Sequence, residues 1–176
     1  MDLTHLVFVD ETGAKTNMTR RYGRAQGGQR VVDSAPHGHW ATTTLLSSVR
    51  LDGSTAPMVI EGPTDADVFT AYVQQVLTPS LHVGDIVILD NLPPHKIAAV
   101  AAAIHAVGAE VLFLPPYSPD LNPIEPMWSK VKAYLRALKA RTRGALQAGI
   151  RDALRSVTPD DVLGWFTHCG YVATQS

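Results

Sequence analysis

Two short apolar runs in the sequence contain no alternation of apolar and polar residues. Residues 6–9 are followed by Asp10, and residues 86–89 are followed by Asp90. Uninterrupted apolar runs of this length are typical of strands that are buried on both faces, as in the centre of a parallel sheet. Neighbouring parallel strands end at the same edge of a sheet, and open α/β sheets bind their ligands at this edge. The pattern therefore predicts that Asp10 and Asp90 lie close together.

The rest of the pattern alternates strands with helices. Strands are predicted at about 5–10, 39–51, 57–61, 85–90 and 110–114, and helices at about 65–77 and 94–107. The carboxy-terminal third is predicted to be helical: an apolar stripe formed by Trp128, Val131, Leu135 and Leu138, a second helix near 142–156 and a short one from Thr158. This order of elements favours an α/β fold.

Composition favours one intracellular domain. The chain has 176 residues, of which 45% are hydrophobic and 18% charged, enough for a substantial core. The single cysteine, Cys169, excludes an internal disulfide, and the first residues lack the pattern of a signal peptide, which together favour the cytoplasm. The longest apolar stretch, residues 97–107, is shorter than the roughly 20 residues of a membrane span, so no membrane is expected.

Basic residues are segregated along the chain, although the net charge is −1. Neither residues 12–32 nor residues 126–151 contain an acid. The first stretch contains Lys15, Arg20, Arg21, Arg24 and Arg30, and the second contains Lys130, Lys132, Arg136, Lys139, Arg141, Arg143 and Arg151. Both patches could hold a phosphate backbone. The alternative is that these side chains are simply solvated; for the Gly- and Arg-rich first stretch, a loop that contacts substrate is favoured.

A third carboxylate, Glu125, follows in the segment LPPYSPDLNPIEPMWSKVK. Two carboxylates about 4 Å apart repel by roughly 4 kcal/mol at an effective dielectric constant near 20, so three gathered acids need a counter-charge. Magnesium characteristically takes carboxylate, water and phosphate oxygens, which suggests phosphoryl chemistry. The same repulsion predicts that Asp90→Asn stabilises the metal-free fold.

Each of the three acids also has a structural interpretation. Asp10 and Asp90 could be turn residues after their strands. Glu125 lies three residues after Asn122 with a proline between them, the pattern of a capping box. Glu11 and Asp120 are spare acids that rank below the three.

Several histidines are further candidates for functional residues. His95 and Lys96, at the start of a helix, could contact phosphate or belong to a solvated first turn. His37 and His39 have the proximity of metal ligands, but imidazoles suit zinc better than magnesium and no cysteine or acid is near, so a structural role is favoured.

Four motifs occur in the order HLVFVDETG, HGHWATTTLLSSVRLDG, ILDNLPPHK and LPPYSPDLNPIEPMWSKVK. Together they resemble the catalytic domain of the insertion-sequence 630 transposases, relatives of the mariner group, over about residues 3–138. The resemblance implies a ribonuclease H-like α/β/α sandwich with a mixed five-stranded sheet. It also implies a single catalytic domain, residues 1–176, with a core at about 3–140 and a helical extension at about 141–176. The family's amino-terminal DNA-binding module is absent from the pattern, as in a split or truncated reading frame or an isolated domain.

The resemblance places the family's two metal-binding aspartates on Asp10 and Asp90 and its catalytic glutamate on Glu125. The last two are 125 − 90 = 35 positions apart, which leaves the 34 intervening residues typical of the family. The implied activity is DNA strand cleavage and 3′-hydroxyl strand transfer with two Mg²⁺ or Mn²⁺ ions. The implied partners are transposon-end and target DNA and a second copy of the chain, in a bacterial protein that is nucleoid-associated when bound to DNA.

Two other functions remain open at this stage. One is a ribonuclease H-like nuclease without strand transfer, and the other is a truncated, non-catalytic regulator of transposition. Contacts to DNA are expected from Arg20, Arg21, Arg24, His95, Lys96, Lys130 and Lys132.

Overall fold

Five strands form one mixed sheet in the computed structural model, which describes residues 2–34 and 42–172. The strands are β1 (Leu6–Ala14), β2 (Thr43–Val49), β3 (Met58–Glu61), β4 (Ile86–Leu89) and β5 (Glu110–Phe113), in the spatial order β3-β2-β1-β4-β5. β1 runs parallel to β4 and β4 parallel to β5, whereas β2 is antiparallel to both β1 and β3. The mixed five-stranded sheet is as predicted. His37, His39 and the start of the predicted second strand lie outside the described residues.

Five α-helices complete the described part of the chain. They are α1 (Ala66–Tyr72), α2 (Ala98–Ala106), α3 (Ile124–Leu138), α4 (Arg143–Arg155) and α5 (Pro159–His168). A π-helical segment, Val73–Leu77, continues α1. Side-chain caps begin three of the helices, because Asp65, Thr142 and Thr158 each accept a hydrogen bond from a backbone N–H of the first turn.

Helices cover both faces of the sheet. Leu6 and Phe8 of β1 pack in one apolar cluster with residues of α3, α4 and α5, and the alternate residues Val7 and Val9 pack in a second cluster with residues of α1 and α2. Alternation along a strand sends successive side chains to opposite faces, so β1 is buried on both sides. The predicted α/β/α layering follows from this arrangement.

β1 is longer than predicted. The strand continues beyond Asp10 to Ala14, because residues 10–14 pair with antiparallel β2, with Asp10 opposite Ser47. The turn interpretation of Asp10 is therefore wrong. In the parallel pair, Phe8 is in register with Ile88, so two residues farther along Asp10 and Asp90 reach the same edge of the sheet.

None of the helices in the described residues is long and apolar enough to cross a membrane.

Candidate active site

A cleft of about 430 Å³ opens at this edge of the sheet. Asp10, Asp90 and Glu125 all line it, together with Lys96 and the loop that precedes α3. The three acids come from the middle of β1, the end of β4 and the first turn of α3. The structure thus brings the three predicted acids to a single cavity.

Asp10 is the most buried of the three acids, with 7% of its surface exposed. Its Oδ1 accepts a hydrogen bond from the Glu11 N–H at 2.8 Å, and its Oδ2 accepts one from the Trp128 Nε1–H at 3.2 Å. Burial raises the pKa of Asp10 to about 7; the Glu11 N–H acts against this, and the charges of Glu125, Glu11 and Asp90 add to it. Without a nearby cation, ionisation of the Asp10 carboxyl group is therefore unfavourable in free energy.

Asp90 differs, because a cation is already beside it. Its Oδ1 accepts the Leu92 N–H at 3.0 Å and also contacts Nδ1 of His95. Burial acts to raise the pKa of Asp90, but hydrogen bonds from His95 and Leu92 hold it below its ordinary value. Asp90→Asn would therefore remove a stabilised carboxylate and lower the stability of the metal-free fold, the opposite of the expected effect. The unfavourable charge is that of Asp10.

Glu125 does not form the capping box that its spacing predicts. α3 begins at Ile124 with Pro123 in the N-cap position and no side-chain cap. The Glu125 side chain is exposed and, within the described residues, makes no hydrogen bond or ion pair. The amide oxygen of Asn122, which also lines the cleft, is buried and has no hydrogen-bond partner there. The capping interpretation is therefore wrong, and both side chains leave oxygens available.

The expectation that His95 contacts DNA is wrong. Its side chain is 0% exposed, because the ring packs 4.1 Å from the Phe69 ring and its Nε2 lies 3.0 Å from Glu11 Oε2. Burial acts to lower the pKa of His95, but hydrogen bonds with Asp90 and Glu11 raise it to about 9. A fully buried ring that lies between two carboxylates cannot reach a phosphate.

The three lysines predicted to contact DNA differ in their surroundings. Lys96 is exposed and lines the cleft, and Lys132 is partly exposed. Lys130 instead forms an ion pair with Asp161 and donates a hydrogen bond to the Ser156 carbonyl at 2.8 Å. The ammonium group of Lys130 is therefore engaged within the protein, which argues against the predicted contact with DNA.

Most of the first basic stretch lies in an arm, residues 15–34, which has no helix or strand and is exposed from Arg20 onward. Arg20, Arg21 and Arg24 are all exposed in this basic arm. The two basic stretches lie near each other, because Arg141 donates hydrogen bonds to the carbonyls of Thr16 at 2.9 Å and Met18 at 3.0 Å. Burial lowers the pKa of Arg136 on α3, and the positive charge of Arg21 lowers it further.

The second basic stretch is less positive in the folded protein than in the sequence. Lys139 forms an ion pair with Asp33 at 2.6 Å, and Arg143 forms one with Glu61 at 2.8 Å. Together with Lys130, these pairs neutralise part of the charge that the sequence concentrates in residues 126–151.

The donor atoms of the cleft suit a hard cation. They include three carboxylates, the amide oxygens of Asn91 and Asn122 and the hydroxyl groups of Tyr117 and Ser118, and no histidine or cysteine of the described residues lines the cavity. Oxygen donors of this kind are preferred by Mg²⁺ and Mn²⁺. As the side chains stand, no three His, Cys, Asp or Glu residues in the described part are grouped tightly enough to hold an ion. Binding of one ion by all three acids would require their side chains to move closer together.

Comparison with known families agrees with this geometry. The sequence profile of the family described as "DDE superfamily endonuclease" matches residues 5–147, a range that includes all three acids. The chain belongs to the DDE superfamily endonucleases. No curated protein sequence matches this DDE endonuclease domain.

Solved structures share the fold of this DDE endonuclease domain. The Mos1 strand transfer complex matches with a TM-score of 0.73 and 18% identity over 94% of this chain and 51% of the Mos1 chain. The catalytic core domain of BIV integrase matches with a TM-score of 0.56 and 17% identity over 96% of this chain and 99% of that domain. The chain thus spans about half of the Mos1 chain. The fold is the ribonuclease H-like fold of transposase and integrase catalytic cores, as predicted.

Sequence reasoning misses three residues of this DDE endonuclease domain that contact the acids. The pattern assigns Trp128 to the apolar stripe of α3, although a buried indole N–H needs an acceptor and here finds Asp10. It ranks Glu11 as a spare acid and places His95 at the surface. A histidine five positions after an aspartate gives no signal of its own, because its contact with Glu11 depends on the folded sheet.

Proposed function

We propose that this chain is a transposase catalytic domain that uses Asp10, Asp90 and Glu125 for metal-dependent DNA strand cleavage and 3′-hydroxyl strand transfer. The observation that supports this most strongly is the convergence of the three acids, from β1, β4 and α3, on one cleft with a lysine at its rim. Membership of an endonuclease family gives the same reaction class.

The three carboxylates would hold Mg²⁺ or Mn²⁺, two ions in the full complex. When bound, the metal would polarise the scissile phosphate and lower the pKa of the attacking water or hydroxyl. Asp10 is suited to this task, since its buried carboxylate has a raised pKa that a neighbouring cation would lower again. Trp128 fixes the orientation of Asp10 by donating to Oδ2, and Asn122 offers a further oxygen.

The basic side chains around the cleft would bind the DNA backbone. Lys96 at the rim is placed to contact a phosphate close to the acids, and Arg20, Arg21 and Arg24 on the basic arm would contact phosphates farther away. Mos1 forms a paired-end complex with its left transposon end and a strand transfer complex. By analogy we infer transposon-end and target DNA as substrates here, and a homodimer as the active form.

A joining assay tests this function. The chain is incubated with Mn²⁺ or Mg²⁺, a supercoiled plasmid and a labelled duplex that ends in the terminal sequence of the encoding element with a free 3′-hydroxyl. We expect label covalently joined to plasmid, and no joined label when Glu125→Gln replaces wild type. Hydrolysis without joining would favour the nuclease alternative, and the absence of both reactions with either metal would favour a non-catalytic regulator.

Reversing the charge of the basic arm is expected to weaken DNA binding uniformly. In the variant Arg20→Glu, Arg21→Glu, Arg24→Glu, the salt dependence of duplex binding should flatten by about 0.9 in log–log slope for each phosphate that the arm no longer neutralises. Affinity should fall about equally for unrelated sequences, because phosphate contacts carry no sequence information. Fluorescence anisotropy between low and moderate salt measures both quantities.

The control reverses Arg155, an exposed arginine of α4 that lies outside both basic stretches. This control changes the net charge in the same direction but should alter the salt slope less. An arm variant with the wild-type slope would remove the basic arm from the DNA interface.

A further inference from the structure

We propose that Glu11 and His95 are positioning residues that hold one oxygen of Asp90 within the protein, so that its other oxygen faces the metal. This inference rests on the proposed function, in which Asp90 binds the ion. It assigns a role to a glutamate that the sequence pattern ranks as spare and to a histidine that it places at the surface.

The two oxygens of Asp90 have different surroundings. Oδ1 accepts the Leu92 N–H at 3.0 Å and contacts His95 Nδ1. Oδ2 has no hydrogen-bond partner or ion pair within residues 2–34 and 42–172, and Asp90 lines the cleft. The hydrogen bond from Leu92 and the ion-pair contact with His95 both restrain Oδ1 and leave the second oxygen available for a ligand.

The His95 ring is itself held on several sides. Nε2 lies 3.0 Å from Glu11 Oε2, and the ring packs on Phe69 with 4.1 Å between centroids and 35° between planes. The backbone N–H of His95 donates to the Leu92 carbonyl at 3.1 Å in the 3₁₀ turn Pro93–Lys96. The ring therefore lies between two carboxylates, with Nε2 hydrogen-bonded to Glu11 and Nδ1 in ion-pair contact with Asp90.

The strand geometry of β1 explains why adjacent acids have different roles. Alternation sends Asp10 toward the face that holds Trp128 and Glu11 toward the opposite face, where Phe69 and His95 lie. Glu11 thereby joins β1 to the end of β4 through His95. The carboxylate of Asp90 is thus linked to the strand that bears Asp10 through the 3₁₀ turn that carries His95.

A fixed carboxylate loses less conformational freedom when it binds an ion, so the contact should contribute to metal affinity. Partners of metal-binding side chains typically change metal affinity or activity by about 10–100-fold when they are removed. A purely structural ion-pair chain would instead change folding stability and leave the affinity of the folded protein unchanged.

The test measures Mn²⁺ binding to the folded chain without DNA, by electron paramagnetic resonance of free Mn²⁺. We expect His95→Ala and Glu11→Leu to raise the Kd for Mn²⁺ by about tenfold or more. Glu11→Gln should raise it less than about threefold, because its amide oxygen still accepts the Nε2–H. Rescue by the isosteric amide is the signature of positioning.

His105→Ala is the matched control, since His105 is an exposed histidine of α2 whose Nε2 lies 3.7 Å from Glu110. It should bind Mn²⁺ with the wild-type Kd. Thermal melting identifies the variants that remain folded; if His95→Ala does not fold, the comparison of Glu11→Leu with Glu11→Gln decides. Wild-type Kd in the folded variants, with lowered melting temperatures, would overturn the inference.

Asp90→Asn separates this inference from the proposed function. If Asp90→Asn loses Mn²⁺ binding while Glu11→Leu and His95→Ala retain it, the positioning role is wrong and the metal site stands. If Asp90→Asn binds Mn²⁺ as wild type does, the proposed metal site itself is wrong.

Discussion

Asp10→Asn, Asp90→Asn and Glu125→Gln are each expected to abolish DNA cleavage, with a loss of at least about a thousandfold. Each substitution keeps the size of the side chain but removes the negative charge that would hold the cation. The three acids share one cleft, so none should replace another. Cleavage of a labelled duplex with Mg²⁺ or Mn²⁺ under single-turnover conditions measures the loss.

Asp120→Asn is the control for this series, because Asp120 is an exposed acid in the loop that precedes α3, five positions before Glu125. At least about a tenth of the cleavage rate should remain, since surface substitutions away from a site have small effects. Full activity in any of the three site variants would remove that residue from the site. Loss through Asp120 but not Glu125 would move the third ligand into the loop.

The second large effect concerns the pH dependence of metal-free stability. The pKa of Asp10 rises from 3.8 to about 7 on folding, so between these values the folded state binds more protons than the unfolded state. The stabilisation by protonated Asp10 is therefore complete at low pH. It is lost as pH rises from about 4 through about 7, at about 1.4 kcal/mol per pH unit. Relative to wild type, Asp10→Asn should gain about 4 kcal/mol in unfolding free energy between pH 4 and pH 8.

Urea unfolding in chelator at a series of pH values measures this gain. Taking the difference between variant and wild type cancels the contribution of His95, whose pKa of about 9 lies above its unfolded value and whose stabilisation is lost as pH rises toward 9. Asp120→Asn should follow the wild-type curve. A difference between Asp10→Asn and wild type that does not change with pH would show that Asp10 ionises normally in the folded protein.

Much of the fold could be predicted because it depends on local hydrophobic pattern. The apolar runs before Asp10 and Asp90 indicate two buried parallel strands, and their equal register then places both acids at one edge. The extension of β1 to Ala14 could not be predicted, because Asp10, Glu11 and Gly13 are poor strand formers. Pairing with β2 decides that extension, and pairing is a property of the folded chain.

The electrostatics of the site are the least predictable part. The number of acids in the sequence suggests that repulsion destabilises the charge of Asp90. In the structure, His95 beside Asp90 stabilises that charge, and burial makes the charge of Asp10 the unfavourable one. The sequence similarly overestimates the charge of the second basic stretch, because its partners Asp33 and Asp161 come from distant parts of the chain. Contacts between residues far apart in the chain decide both outcomes.

The most direct test of the metal site is an anomalous difference map from crystals of this chain grown with Mn²⁺. We expect a peak in the cleft within coordination distance of the Asp10 and Asp90 carboxylates, with Glu125 turned toward it, and no peak at this position in crystals of Asp90→Asn. An ordered cleft without manganese density, or a peak that persists in Asp90→Asn, would contradict this expectation.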